Sequence, residues 1–138
     1  MSKIYYKSPE EIELIRESSL LVSKTLVEVA KVIKPGITTL SLDKLAYEFI
    51  KDNGAIPAFL NYGGFPYSLC ISPNDQVVHG FPSEYVIKEG DLISVDCGVI
   101  KNNFFGDSAY TFSIGEVDAE KQKLTKITQE CLNFAIDK

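Results

Sequence analysis

An α+β fold is predicted by three features of this sequence. Apolar residues recur at helical spacing through the first third, two alternating strands meet at a tight turn within residues 92–114, and a further helical stripe follows. The stretch at 94–112, SVDCGVIKNNFFGDSAYTF, raises the chemical question, because each strand carries one aspartate that the pattern buries. A lone carboxylate in an apolar strand is costly unless a counter-charge or hydrogen bonds offset its lost hydration.

The elements follow in chain order. Ser8-Pro9-Glu10-Glu11 supplies an N-cap hydroxyl, a proline at the first helical position and acids in the first turn. Ile12, Ile15, Val22, Leu26, Val29 and Ile33 then form one apolar stripe, which Lys34-Pro35-Gly36 stops. Thr39 opens a second helix through Leu42, Leu45, Ala46 and Phe49, ended by Asn53-Gly54. Residues 56–85, rich in proline, glycine and aromatic side chains, read as loops and short strands. Lys88-Glu89-Gly90-Asp91 turns into a strand at 92–100, and Phe104 to Ile114 returns. A last helix starts near Asp118, with Leu124, Ile127, Cys131 and Phe134 on its apolar side. It reaches residue 138 with no C-cap, so residues 1–138 read as a single domain cut short at its C-terminal side.

Composition narrows the class. A net charge of −5 argues against nucleic-acid binding and against an anionic membrane surface. No apolar run approaches the ~20 residues that span a bilayer, and MSKIYYKSPEEIELI lacks a signal-peptide core, so a cytoplasmic location is expected. Cys70, Cys97 and Cys131 are widely spaced and odd in number, which suits reduced thiols. Cys70 has no neighbour in sequence that would activate it as a nucleophile.

The hairpin can be worked through residue by residue. With Asn102-Asn103 as the turn, Lys101 pairs with Phe104, Ile100 with Phe105, Gly98 with Asp107 and Asp96 with Ala109. Asp96 and Asp107 then share one face as diagonal neighbours, with Cα atoms roughly 7–8 Å apart. Ile93, Val95, Cys97 and Val99 fill the other face with Tyr110 and Phe112. Two carboxylates on a dry face cannot both stay ionised alone. One is protonated, or a lysine or arginine pairs them, or a divalent cation bridges them.

The ordered segments YGGFPYSLCISPNDQVVHGFP (62–82) and GDLISVDCGVIKNNFFGDSAYTF (90–112) resemble methionine aminopeptidases of the short, type I kind. SPEEIELIRESS and VIKPGITTLSLD extend the resemblance over essentially the whole chain. It implies a pita-bread fold, of which this chain is the first α/β half plus the opening helix of the second. It implies two divalent metal ions (Co, Mn, Fe or Zn), with Asp96 bidentate and Asp107 bridging. His79 would be the catalytic group that contacts substrate and stabilises the transition state, and Phe59, Tyr62, Phe65 and Cys70 would line a pocket for the methionine side chain. The substrate implied is the N-terminal methionine of nascent peptides, with the ribosome as a candidate partner and a monomer as the expected state. Of the five metal ligands of that family, the histidine and two glutamates that complete the set have no counterpart here.

The residues themselves leave other readings open. His79 could be a loop residue bonded to backbone, and Phe59, Tyr62 and Phe65 could fill a core. The chain departs from the family pattern at Gly98, where a hydroxyl residue is usual, and at Phe105 and Gly63. An Xaa-Pro aminopeptidase or creatinase relative is the rival enzyme. A non-catalytic pita-bread binding protein is the rival of another class.

Overall fold

A computed structural model describes residues 4–138. Helix α1 spans Pro9–Val32, and Ser8 caps it as expected. Ser8 Oγ accepts from the Glu11 N–H at 3.2 Å while Glu11 Oε2 accepts from the Ser8 N–H at 2.8 Å, a reciprocal capping box. Helix α2 spans Thr39–Asp52, opening at Thr39 as expected, with Thr38 as its N-cap. The middle segment gives strand β1 (Ile56–Pro57), a short turn at Tyr62–Gly64 and strand β2 (Leu69–Pro73). Strands β3 (Leu92–Lys101) and β4 (Phe104–Ser113) form the hairpin, and α3 runs from Ala119 to Ile136. No helix among the described residues is long and apolar enough to cross a membrane.

All strand pairs are antiparallel, and β3 is the centre of the sheet. Strands β1 and β2 lie end to end along one edge of β3, and β4 lies along the other. The hairpin has the register that the Asn-Asn turn predicts, with Gly98 opposite Asp107 and Asp96 opposite Ala109. Asn102 and Asn103 both adopt left-handed backbone, φ 52° and 64°, as a two-residue hairpin turn of this hand requires.

One sheet face is the core. Ile93, Val95, Cys97 and Val99 are fully buried beneath α1 and α2, together with Leu69 and Ile71 of β2. Phe112 packs against this core, but Tyr110 is 53% exposed, its ring edge-on to Phe112. Tyrosine at the rim of an edge strand lays its ring on the apolar surface and leaves its polar end wet.

The buried stripe of α1 also differs from its apolar residues. Ile12 is 55% exposed, while Ser18 and Thr25 are fully buried beside Leu21, Val22 and Val29. The cause is close approach. Ser18 Oγ lies 3.1 Å from the Lys101 carbonyl and 3.0 Å from that of Phe104, tying the helix to both ends of the hairpin turn. A Cβ on Gly106 would sit 2.6 Å from the Ser18 backbone, so only glycine admits α1 here. Helix α3 is the larger difference: Leu124, Ile127, Cys131 and Phe134, its apolar side, are all exposed, and none of its residues is buried. The described residues touch it mainly at its first turn, where Lys121 Nζ donates to the Gly90 carbonyl at 2.8 Å.

A polar cluster closes the far end of the hairpin. Asp91 accepts from Asn74 Nδ2 (2.9 Å), the Tyr85 hydroxyl (2.8 Å) and the Lys88 N–H (2.9 Å). Burial pushes the Asp91 carboxyl up, but these hydrogen bonds outweigh it and hold it below the usual carboxylate range. A depressed folded-state pKa contributes stability that is full above the unfolded value, about 3.9, and is lost as pH falls through the folded one. Acid titration of the thermal midpoint should therefore show a loss below about pH 4 that is much reduced in Asp91→Asn; an unchanged acid limb would contradict the cluster's role. Gly106→Ala should destabilise the fold by about 1–3 kcal/mol in urea unfolding, as overpacking does, and a neutral result would mean that α1 can shift freely.

Candidate active site

The face of the sheet turned away from the helices carries the chemistry. Cross-strand partners point the same way, so Cys70, Asp96 and Ala109 form one row, and Ser72, Ser94 and Thr111 the next. Gly98 and Asp107 make the row on the other side of Asp96. Asp96 and Asp107 thus share this face as diagonal neighbours, as the sequence register requires. The expectation of a dry face with both acids buried needs correction, because Asp96 is half-buried and Asp107 exposed. Little covers this side of β4, an edge strand, whereas Asp96 lies in the central strand under the loop that carries His79.

Asp96 is the electrostatically strained group. Its Oδ1 is buried and has no hydrogen-bond partner. Burial first, and the Asp107 charge second, push its carboxyl above the usual range, and His79 pulls it part of the way back. The ion pairs among the described residues involve neither Asp96 nor Asp107. Of the three ways to reconcile two acids on one face, pairing with a lysine or arginine is therefore not the one used within these residues.

His79 reaches this face from the loop after β2. Its backbone is left-handed, φ 58°, a conformation that costs a non-glycine residue about 1–2 kcal/mol. It lines a cleft of about 180 Å³ with Asp96, Ala109, the hydroxyl row Ser72–Ser94–Thr111, and Val77 and Val78. Ser94 Oγ and Thr111 Oγ1 are hydrogen-bonded at 2.8 Å. These hydroxyls escaped the sequence reading, although the hairpin register already pairs Ser94 with Thr111 two positions from Asp96. Ser72 could not be found that way, because the pairing of β2 on β3 depends on the tertiary fold.

The predicted pocket residues separate into groups. Phe59 lies against Gly98, where a Cβ would come within 2.6 Å of its ring, and so sits beside the row that holds Asp107. Phe65 belongs to an edge-to-face trio with Phe81 (5.0 Å between centroids) and Tyr67 (6.1 Å). Tyr62 is 80% exposed on its turn and fills no core. Cys70 is buried in the row of Asp96, and burial, followed by the charges of Asp96 and Asp107, pushes its thiol up to about 11. It stays protonated near neutrality and is no nucleophile. Cys97, on the core side, is pushed up to about 12, chiefly by burial.

Comparison with known proteins gives this geometry a setting. The sequence profile of metallopeptidase family M24 matches residues 13–138. The chain belongs to metallopeptidase family M24. A methionine aminopeptidase of Clostridium acetobutylicum is 49% identical over 136 residues, covering 98% of this chain and 54% of the relative. The crystal structure of methionine aminopeptidase from Thermotoga maritima superimposes with a TM-score of 0.93 at 41% identity, covering 97% of this chain and 54% of that one. The prolidase of Pyrococcus horikoshii, at 21% identity and a TM-score of 0.82, shares the fold alone; it covers 94% of this chain and 36% of its own. The fold is accordingly the α+β pita-bread arrangement of M24 enzymes, and the chain spans about half the length of the curated relatives it matches.

A metallopeptidase family implies divalent metal ions, and the residues on this face fit one side of such a centre. The orphaned Asp96 oxygen lacks a positive partner, and two carboxylates are donors suited to hard or borderline divalent ions. The set is partial: no group of three or more His, Cys, Asp or Glu side chains is placed to hold an ion among the described residues.

The strain at Asp96 yields a prediction. A carboxyl whose folded-state pKa is raised removes stability as pH climbs from the unfolded value, about 3.9, through the folded one. In metal-free protein at pH 7, Asp96→Asn should therefore raise the thermal midpoint. A lower midpoint would show that the charge is already compensated.

Proposed function

We propose that the protein to which this chain belongs is a metal-dependent aminopeptidase that removes the N-terminal methionine of nascent chains. The observation that carries the reading is the Asp96–Asp107 pair, same-faced, without a lysine or arginine counter-ion and with one buried carboxylate oxygen unmatched, in a chain of family M24. Methionine aminopeptidase relatives at 41–49% identity favour methionine over an Xaa-Pro substrate.

On this reading Asp96 and Asp107 hold the divalent ions. Such ions, when bound, supply Lewis-acid polarisation of a carbonyl and lower the pKa of a water. The remaining work falls to the chain's own side chains. His79, held at the mouth of the cleft, donates a hydrogen bond to the carbonyl oxygen of the substrate as negative charge develops there. Phe59 and Phe65 form aromatic walls, and a thioether side chain packs well against aromatic rings and a neutral thiol such as Cys70. Tyr62, exposed on its turn, is free to close over that side chain. Two carboxylates are too few donors for a tight dinuclear site, so the remaining ligands come from outside residues 1–138, and activity is assigned to the whole protein. The reading puts that protein in the cytoplasm, as a monomer meeting nascent chains at the ribosome.

The test uses protein purified from its native source. Methionine release from Met-Ala-Ser should disappear on chelation and return on adding Co, Mn, Fe or Zn. Preferential turnover of an Xaa-Pro peptide would move the protein to the prolidase side of the family. Release that persists through exhaustive chelation would remove the metal role altogether.

A further inference from the structure

His79 is held in an unfavourable backbone conformation at the end of a loop whose residues 74–79 are all exposed. An exposed loop cannot keep one residue left-handed by packing, so the constraint must come from its ends. Both ends are anchored, by residues that the site description leaves without a task.

At the C-terminal end the anchor is Ser72. Its Oγ accepts a hydrogen bond from the Gly80 N–H at 3.0 Å, next to His79 in the chain. The Gly80 carbonyl in turn accepts from the Ile71 N–H at 2.9 Å, so this one residue is bonded to β2 through both of its backbone groups. The fit is tight: a Cβ on Gly80 would lie 2.2 Å from the Ile71 carbonyl oxygen. Ser72 is only 4% exposed, and it sits in the row next to Asp96. At the N-terminal end the anchor is Asn74, also left-handed at φ 53°. Its Oδ1 accepts from the Leu92 N–H at 3.0 Å, its Nδ2 donates to Asp91 at 2.9 Å, and its own N–H donates to the Leu92 carbonyl at 2.8 Å.

We propose that Ser72 and Asn74 are positioning residues that together clamp the 74–80 loop and set the His79 imidazole over the cleft beside Asp96. The inference rests on the reading of His79 as the group that meets substrate, and it adds what holds that group in place. The two anchors act on different strands. Ser72 fixes the loop to β2, and Asn74 fixes it to the start of β3, the strand that carries Asp96. The imidazole and the carboxylate are thereby referred to one rigid sheet, which is how a catalytic geometry is kept within the few tenths of an ångström it needs. Ser72 has a second consequence: with its oxygen occupied by Gly80, its side chain is held facing the cleft as part of the hydroxyl row.

The experiment uses the whole protein: His79 is the only histidine of residues 1–138, and the ring signals lost in His79→Gln assign its resonances in NMR. The metal-free protein is compared with its Ser72→Ala, Ser72→Thr and Asn74→Gly variants, the last keeping the left-handed backbone while removing the side-chain anchor. In the parent chain, nuclear Overhauser contacts are expected from the His79 ring to the Ala109 and Thr111 methyl groups, with a protected Gly80 amide. Ser72→Ala should lose those contacts and speed Gly80 amide exchange about tenfold, the worth of one hydrogen bond, with strand signals unmoved. Ser72→Thr, which keeps the hydroxyl, should restore both, and a role confined to general stability would not produce that pattern. If Ser72→Ala fails to fold, Asn74→Gly carries the test through the same ring contacts. Ring contacts that persist in both Ser72→Ala and Asn74→Gly, or that are missing from the parent chain, overturn the proposal. None of these readings uses peptide hydrolysis, so a failed clamp and a failed aminopeptidase assignment remain separate results.

Discussion

The register of one hairpin governs this chain. Pairing Lys101 with Phe104 across the Asn102-Asn103 turn fixes the parity of every residue in β3 and β4. That parity sends Ile93, Val95, Cys97 and Val99 beneath the helices and Asp96 and Asp107 to the other side. A slip of one residue between the strands would separate the acids and turn apolar side chains of one strand outward. Selection for a well-packed core and selection for convergent carboxylates therefore act on the same backbone variable. A core that folds correctly delivers the acid pair without further specification.

Two glycines extend this division of labour to both faces. Gly106, on the core side, lets α1 approach so closely that Ser18 can bond the carbonyls flanking the turn. Gly98, one pairing step away on the opposite side, lets the Phe59 ring rest on the sheet beside Asp107. A side chain at either position would meet backbone or ring at 2.6 Å. The Phe59 ring occupies the space that a side chain at position 98 would take.

Much of this was legible in the sequence, and the physics says why. The caps of α1 and α2 are local, three residues from hydroxyl to amide, and the hairpin register follows from a turn and a parity rule. The face shared by Asp96 and Asp107 needed nothing else. The pairing of β2 with β3 was not legible, because its strands lie far apart in sequence and no turn links them. That is why Ser72 was missed while Ser94 and Thr111 could have been found. Exposure was misjudged for the same kind of reason: Asp107 and Tyr110 lie on an edge strand, and the apolar side of α3 meets no partner among the described residues. Periodicity reports that a helix has an apolar side, and tertiary contacts decide whether that side is covered.

The cleft concentrates two unfavourable terms that a merely structural site would have shed. A buried oxygen without a partner costs about 1–3 kcal/mol, and a left-handed histidine costs about 1–2 kcal/mol. An apolar side chain at position 96 and glycine at position 79 would relieve each, at little cost to the core packed on the far face of the sheet. Both strained groups instead line the same cleft, His79 acting electrostatically on Asp96 and each held in place by the same strands. Strain of this size at two groups in one cleft is the physical ground for the functional role proposed for them. On the proposed reading, Asp96 carries the unmet demand for positive charge, and His79 is the group placed beside it to meet the substrate.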